Sequence, residues 1–262
     1  MRRRNIPVEP MSRLAVWSRR LVLFALTVAL AAVILVRGEF IETLPGQSIL
    51  IASFAVAGIG ILYAFGAFIV IWRDGNPGLR YAVTALILGL ALLAYPGFVV
   101  ARGYKLPKIA DISTDTNDPP RFEVIARIRP RGANPVEYPG QGVAQQQRAA
   151  YPNVASLRLD VRPLEAYENA LDIVNKRKWR VVDFRAPTAA RREGRIEAVA
   201  LTPVMGFRDD IVIRVRGSGT STVVDVRSAS RYGDRDWGSN ARRIRALLDE
   251  IDEESTPQTR AR

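Results

Sequence analysis

The stretch that decides the fold is SILIASFAVAGIGILYAFGAFIVIW, residues 48–72. It carries no charged side chain and is longer than the roughly 20 apolar residues that a helix needs to cross a bilayer. Two similar runs flank it: Leu21–Val36, which Leu14–Trp17 extends, and Leu79–Ala101. The sequence therefore predicts three transmembrane helices, at about 14–36, 48–72 and 79–101.

The first run allows a second interpretation, because Ser18-Arg19-Arg20 before Leu21 resembles a twin-arginine or ordinary secretory signal. Alternatively, the two arginines are the positive flank of an anchored helix. The anchored helix is favoured, since two further spans follow and the cleavage signal is poor.

Basic residues in the short connections determine the expected orientation. Segment 1–20 is rich in arginine and is predicted to be cytoplasmic, as is the turn at 73–80, whereas 37–47 carries more acids than bases. Three crossings then place the C-terminal part outside the cytoplasm. We expect a multi-pass protein of the bacterial inner membrane with a periplasmic domain, and the lipid bilayer as its first partner.

The composition excludes several kinds of chemistry. The chain has no His and no Cys, which removes Ser-His-Asp and Cys-His catalysis and most zinc, copper and haem sites. No cofactor and no metal are predicted. The net charge is +12, but acids are interspersed with the arginines, so a solvated surface of mixed charge is favoured and nucleic acid is not the expected partner.

Residues 102–153 are predicted to be a proline-rich linker and extended segment, because prolines interrupt any long regular element. Acids at 111, 115 and 118 have a spacing that suggests calcium. The segment lacks the Gly and the closing Glu of a calcium loop, however, so consecutive turns are favoured. Residues 141–148 are expected to be a short helix or disordered.

Residues 154–253 are predicted to form one compact domain, followed by a disordered tail at 254–262. Pro163 opens a helix that continues to about residue 178, and a last helix covers about 239–253. Four strands are expected between these helices, at 179–185, 195–201, 210–216 and 222–228.

This order of elements favours an α+β domain, with a mainly antiparallel sheet and two helices on one face, behind a three-helix membrane anchor. The glycines and serines of 217–221 are expected to form the loop of a hairpin. Arg214 and Asp225 are then expected to pair across that hairpin.

One segment between the last strand and the last helix combines arginine, serine and a helix start. Free N–H groups at a helix N-terminus, with arginine nearby, attract phosphate or carboxylate. The sequence predicts a ligand-binding site for an anion, made of Arg227, Ser228, Arg231, Asp236, Asn240 and Arg243. Alternatively, these arginines pair with Asp234 and Asp236 and serve only to fix the loop to the helix.

The same segment, DVRSxSRxGxxDxGxNxxRI at 225–244, resembles the C-terminal signature of a bacterial family of unknown function, number 1499 (DUF1499). FRDDIVIR at 207–214 and DISTDTxDPP at 111–120 are similar to other recurrent segments of that family. The resemblance covers about residues 105–251. It implies a bacterial envelope protein and no established activity, so no catalytic residues are implied.

The favoured hypothesis is a non-enzymatic envelope protein whose outer domain binds a partner protein or an anionic envelope component. A first alternative is a hydrolase that uses carboxylates such as Asp209, Asp210 or Asp236, although the chain offers no obvious neutral-pH base. A second alternative is a structural subunit of a membrane complex, which packs through small residues on its membrane helices.

Overall fold

The computed structural model describes residues 10–218 and 221–256. The chain divides into two compact units, one that contains the apolar helices and one that comprises Gly103–Pro203 and Phe207–Arg262. The first nine residues of the predicted cytoplasmic segment, and residues 257–262 of the predicted tail, lie outside the described residues.

From residue 10 onward, the first unit contains three long helices, α1 (Arg13–Arg37), α2 (Thr43–Asp74) and α3 (Leu79–Gly103). Each is long and apolar enough to cross a membrane, as the sequence predicts. Helix α2 begins several residues before the apolar run. It accommodates Pro45 because a proline in the first turn lacks an N–H that would be unpaired there in any case.

Small residues allow these helices to approach one another closely. A Cβ added to Gly60 would lie 2.6 Å from the Val22 side chain, and one added to Gly89 would lie 2.7 Å from Ile61. Buried alanines fill the shared contact, namely Ala15, Ala64, Ala67, Ala82 and Ala85. Close packing of this kind is how helices associate in a lipid environment.

The second unit is built on a six-stranded antiparallel sheet of order β1-β6-β5-β4-β3, with β2 paired to β6 beside β1. The strands are β1 (Asp111–Ser113), β2 (Leu157–Leu159), β3 (Arg180–Arg185), β4 (Glu193–Leu201), β5 (Arg208–Ser218) and β6 (Ser221–Ser230). The four longest are the strands that the sequence predicts. They begin or end within a few residues of the predicted limits.

Among its described residues, four helices complete this unit: α4 (Val124–Ile128), α5 (Gln141–Ala150), α6 (Pro163–Lys176) and α7 (Ser239–Ser255). Helices α6 and α7 cover one face of the sheet and share its main core. Alternate strand residues point into that core because side chains in a strand alternate between its faces. They are Ile196, Ala198, Ile211, Ile213, Val224 and Val226. The α+β architecture with two helices on one face is therefore confirmed.

Residues 103–153 differ from the predicted linker, because they lie within the second compact unit. They contribute β1, α4 and α5, and Phe122 and Ile125 pack with Val199 and Val212 on the sheet face opposite α6 and α7. The prolines of this segment lie between short elements, and packing against the sheet holds these elements in place. Proline content therefore indicates short elements here rather than a separate linker.

The predicted hairpin is present, with β5 and β6 in register up to Ser218 opposite Ser221. Arg214 lies directly opposite Asp225, and its Nη2 is 3.0 Å from Asp225 Oδ2. The predicted cross-strand pair is thus confirmed.

Candidate functional site

Half of the predicted anion site lies on the helix-covered face of the sheet. Ser228 Oγ donates to Asn240 Oδ1 (2.7 Å), and Arg243 Nη1 donates to the same oxygen (2.5 Å). Arg243 Nη2 also donates to Asp209 Oδ2 (2.5 Å), while Asn240 Nδ2 reaches the Ala110 carbonyl at 3.0 Å. These contacts join α7 to β5, to β6 and to the residue before β1.

Asp236 completes this group by capping α7. Its Oδ1 accepts the Gly238 N–H (2.9 Å) and its Oδ2 accepts the Asn240 N–H (2.7 Å). Gly238 has a left-handed backbone conformation, which favours glycine. The N–H groups that the sequence offers to an external anion are therefore used by a carboxylate of the chain itself.

Arg227 lies on the opposite face of the sheet, where it meets the first strand. Its Nε and Nη2 donate to the two carboxylate oxygens of Asp111 at 2.9 and 2.6 Å. The same guanidinium donates to the carbonyls of Pro120 and Val136 and stacks over the Phe122 ring, 4.8 Å from its centroid. With 2% of its surface exposed, Arg227 is a fully engaged internal residue.

Arg231 shares a buried carboxylate with a second arginine on the same face. Asp210 Oδ1 accepts from Arg231 Nε and Nη2 at 2.9 and 2.7 Å, and Asp210 Oδ2 accepts from Arg129 Nε at 2.9 Å. All three side chains are at most 4% exposed. Arg129 also donates to the carbonyls of Asn134 and Pro135, so this trio holds the 129–135 segment against the sheet.

The structure therefore does not gather the six predicted ligand-binding residues into one pocket. Arg227 and Arg231 lie on one face of the sheet, and Ser228, Asn240 and Arg243 lie on the other. The arginines of β6 and its following loop pair with Asp111 and Asp210, rather than with the nearby acids that the alternative interpretation named. Alternation of side chains along β6 separates neighbours in sequence by the thickness of the sheet.

The acids whose spacing suggests calcium also bind arginines of the sheet. Asp118 Oδ2 accepts from Arg214 Nη1 at 2.8 Å, and Asp115 Oδ2 lies 3.3 Å from Arg214 Nη2. Arg216 reaches the same two carboxylates. This segment therefore closes over the exposed side of the β5–β6 hairpin.

Burial sets the electrostatics of these acids. It raises the pKa of Asp111 and of Asp209 above the usual range, although Arg227 and Arg243 act in the opposite direction. It also raises the pKa of Asp236, against two backbone hydrogen bonds. The loss of hydration offsets much of the Coulomb energy of a buried ion pair, so an intact pair adds little net stability, whereas removal of one partner is costly.

A cleft of about 460 Å³ opens beside β1, within the size range of small-molecule and peptide pockets. Ile109, Ala110 and Asp111 line one wall. The opposite wall consists of the loop before α5 and the start of that helix, namely Asn134, Pro135, Tyr138, Pro139, Gly140 and Val143. Sequence reasoning missed this site because half of it falls in the predicted linker.

The cleft exposes the open edge of the sheet at Asp111. Ala110 and Thr114 bond to β6 through their backbones, so Asp111 and Ser113 turn their N–H and C=O groups away from β6. Gln147 accepts the Ser113 N–H (3.0 Å) and donates to the Ser113 C=O (2.7 Å). The register of β1 on β6 thus leaves both backbone groups of Asp111, a largely buried residue, directed towards the cleft.

Tyr138 connects the cleft to the Arg227 cluster. Its hydroxyl donates to Gln147 Oε1 (3.2 Å), and its ring lies 5.5 Å from the Arg227 guanidinium. Burial and the nearby Asp111 carboxylate raise the pKa of Tyr138 to about 12. The phenol is therefore neutral at physiological pH and acts as a fixed donor in the cleft wall.

The carboxylates that a hydrolase would need lie elsewhere. Asp209, Asp210 and Asp236 are all buried in the internal bonds described above, and none of them lines the cleft. The acids that do line it are Asp111, Glu137 and Asp234, of which Asp111 is already bound to Arg227 through both oxygens.

The segments that carry these contacts are also the segments by which the chain is related to other proteins. A comparison with curated proteins gives no match. A comparison with protein families matches residues 111–251 to a family described as "Protein of unknown function (DUF1499)". The match begins at Asp111 and ends at Ile251, the first residue of β1 and the last core residue of α7. The chain belongs to the DUF1499 family.

Proposed function

We propose that this chain is a non-enzymatic binding protein of the bacterial inner membrane. Three helices anchor it, and its periplasmic domain captures an extended segment of a partner protein in the cleft beside β1. The observation that carries this proposal is the Asp111 backbone, which offers one N–H and one C=O at the open edge of a sheet. Extended peptides bind sheet edges through such groups.

The neighbouring residue supports the assignment. Ser113 presents the same pair of groups, and the primary amide of Gln147 satisfies both of them. An amide on a partner peptide has the same donor and acceptor. At Asp111 the opposite wall of the cleft, which includes Gly140 before α5 and Val143 within it, leaves an opening instead of supplying an amide.

The walls suggest what kind of peptide fits. Pro135, Tyr138, Pro139 and Val143 give a mainly apolar surface, to which aromatic and proline rings contribute. Rings of this type bury apolar side chains at little entropic cost. We infer an uncharged, extended segment with an apolar side chain beside Asp111.

The location follows from the distribution of charge. Three candidate membrane-spanning helices support membrane association. The arginines of 1–20 and 73–80 favour a cytoplasmic location for the helix ends next to them. An odd number of crossings then favours a periplasmic domain. Fusion of a reporter that is active on only one side of the membrane, placed after residue 256, tests the orientation.

The binding proposal is tested by filling the cleft. Val143→Trp places a large side chain in the cleft, and Gln145→Trp places the same side chain on the exposed surface of α5 as a matched control. A photo-crosslinking amino acid at Glu137, on the cleft wall, reports on the partner in living cells. We expect one discrete crosslinked protein from wild type and Gln145→Trp, and its loss in Val143→Trp.

An identical crosslinking pattern in all three proteins, or crosslinks only to lipid, would contradict the proposal. Circular dichroism of the purified full chain checks that Val143→Trp retains the native content of helix and strand. If it does not, the smaller Val143→Phe takes its place, with Gln145→Phe as its control.

A further inference from the structure

A second surface of the domain lies where the chain leaves α3. Gly103 is the last residue of that helix, and Trp237 packs directly against it. A Cβ added to Gly103 would lie 2.8 Å from the Trp237 ring. Trp237 and the residues around it are therefore close, by chain continuity, to the end of the third candidate span.

Basic and aromatic side chains are concentrated at this point. Arg235 lies over the Trp237 ring at 4.9 Å and donates to the Tyr104 carbonyl at 3.4 Å. Arg242 donates to the Trp237 carbonyl at 3.3 Å. We define the basic–aromatic surface as Tyr104, Lys105, Arg235, Trp237, Arg242 and Arg245.

The three arginines of this surface differ from those in the sheet. Arg242 and Arg245 are exposed, and in the part of the chain that the structure describes no carboxylate forms an ion pair with either of them or with Arg235. By contrast, Arg214, Arg227, Arg231 and Arg243 are each bound to a buried or half-buried acid. The exposed Arg242 and Arg245 and the half-buried Arg235 are therefore available to an external anion.

The position of Arg242 on α7 is unfavourable for the helix itself. Arg242 is the fourth residue of α7 and lies near the positive end of the helix dipole, where cations are disfavoured. The acids of α7, Asp249 to Glu254, gather at the opposite end. The helix dipole therefore does not account for the arginine at this position.

A buried donor lies beneath the same surface. Tyr151 is 9% exposed, and its hydroxyl has no hydrogen-bond partner among the described residues. Gly238 lies over it: a Cβ added to Gly238 would be 3.5 Å from that hydroxyl and 3.2 Å from Arg242 Nη1. A buried phenol without an acceptor is costly, and a phosphate oxygen held by Arg242 would supply one.

We propose that the basic–aromatic surface binds the phosphate headgroups of anionic phospholipids at the membrane surface from which α3 emerges. Tryptophan and tyrosine are favoured at that depth, and arginine forms paired hydrogen bonds with phosphate. The surface shares no residue with the cleft, so it holds even if the cleft has no partner. It differs from the predicted anion site, whose arginines lie in the interior.

The test uses the full chain in detergent, titrated with phosphatidylglycerol or phosphatidylcholine and examined by native mass spectrometry. The variant Arg235→Gln/Arg242→Gln/Arg245→Gln removes three cations and retains long polar side chains. Its matched control, Arg158→Gln/Arg180→Gln/Arg191→Gln, removes three exposed arginines elsewhere. A third protein, Arg235→Lys/Arg242→Lys/Arg245→Lys, retains the charges.

We expect wild type and the control to prefer phosphatidylglycerol, and the Gln triple variant to lose at least roughly tenfold of that preference, since each cation near an anionic surface contributes several-fold. The Lys variant keeps most of the preference. Equal binding of both lipids by wild type, or an equal loss in the control, would refute the proposal. Saturation of the site by inorganic phosphate alone would show a small-anion site and would also refute it.

Discussion

The Arg227 guanidinium binds both carboxylate oxygens of Asp111 across 116 residues of sequence. The pair joins β6 to β1, the strand with which the segment that matches the family begins. Arg227 belongs to the DVRS motif and Asp111 to the DISTDT motif, so a single buried contact links two of the segments on which the family resemblance rests.

Removing one partner of this pair leaves a buried charge without compensation. We expect Arg227→Ala or Asp111→Ala to lower the free energy of unfolding of the domain by about 3–5 kcal/mol. The double variant should lose clearly less than the sum of the two single changes, since each single change already removes the pair. Thermal unfolding followed by near-ultraviolet circular dichroism measures this, and Arg121→Ala, at an exposed site, is the control.

Substitutions of Asp210 and of Asp234 test which of the two acids is the partner of Arg231. Asp210 is the observed partner, and Asp234 is one that the alternative interpretation expected. Asp210→Asn leaves Arg129 and Arg231 buried without their shared carboxylate and should destabilise the domain by about 3–5 kcal/mol. Asp234 is 78% exposed and lies 3.9 Å from Lys108, so Asp234→Asn should have little effect on stability. Equal effects of the two substitutions would show that the Asp210 trio does not hold the loop in place.

Gln147 closes the sheet edge at Ser113 and can be removed without disturbing α5. Gln147→Leu leaves the Ser113 N–H and C=O without a partner, which should cost about 1–3 kcal/mol. Hydrogen exchange resolves the effect locally. The Ser113 amide should exchange much faster in the variant, while the amides of β4 and β5 should retain their protection.

Tyr151 makes stability depend on pH in the alkaline range. Burial raises its pKa from 10.0 to about 12, with the Asp236 carboxylate acting in the same direction. The folded state therefore holds a proton that the unfolded chain releases above pH 10, so stability is complete below pH 10 and is lost as the pH rises towards 12.

Tyr151→Phe removes the contribution of Tyr151 to this loss and retains that of Tyr138. We expect the variant to be as stable as wild type at pH 7, or slightly more stable, since it removes a buried hydroxyl without a protein partner. Between pH 10 and 12 the stability of wild type should fall relative to the variant by about 2–3 kcal/mol. Parallel curves for the two proteins over that range would contradict the assignment. Tyr232→Phe at a half-buried tyrosine serves as the control.

Hydrophobic periodicity predicts well the elements whose formation depends on residues that are close together in the sequence. The membrane helices, α6, α7 and the β5–β6 hairpin all follow from runs and alternations that one segment contains, and the Arg214–Asp225 pair follows from the hairpin register. The partners of Arg227 and Arg231 do not, because they depend on which strands are adjacent. The same reason hides the cleft, whose two walls come from residues 108–111 and 134–143 on either side of intervening turns.

The placement of β1 beside β6 has a consequence for how the domain matures. Asp111 is among the first residues of the domain to be synthesised, whereas Arg227 follows 116 positions later. The sheet is therefore completed only when its last strand arrives, and contacts of such long range slow folding. Until then the acids of 111–118 face solvent without their arginines. A chaperone that shields nascent chains between these two points would bind an incomplete sheet rather than a finished domain.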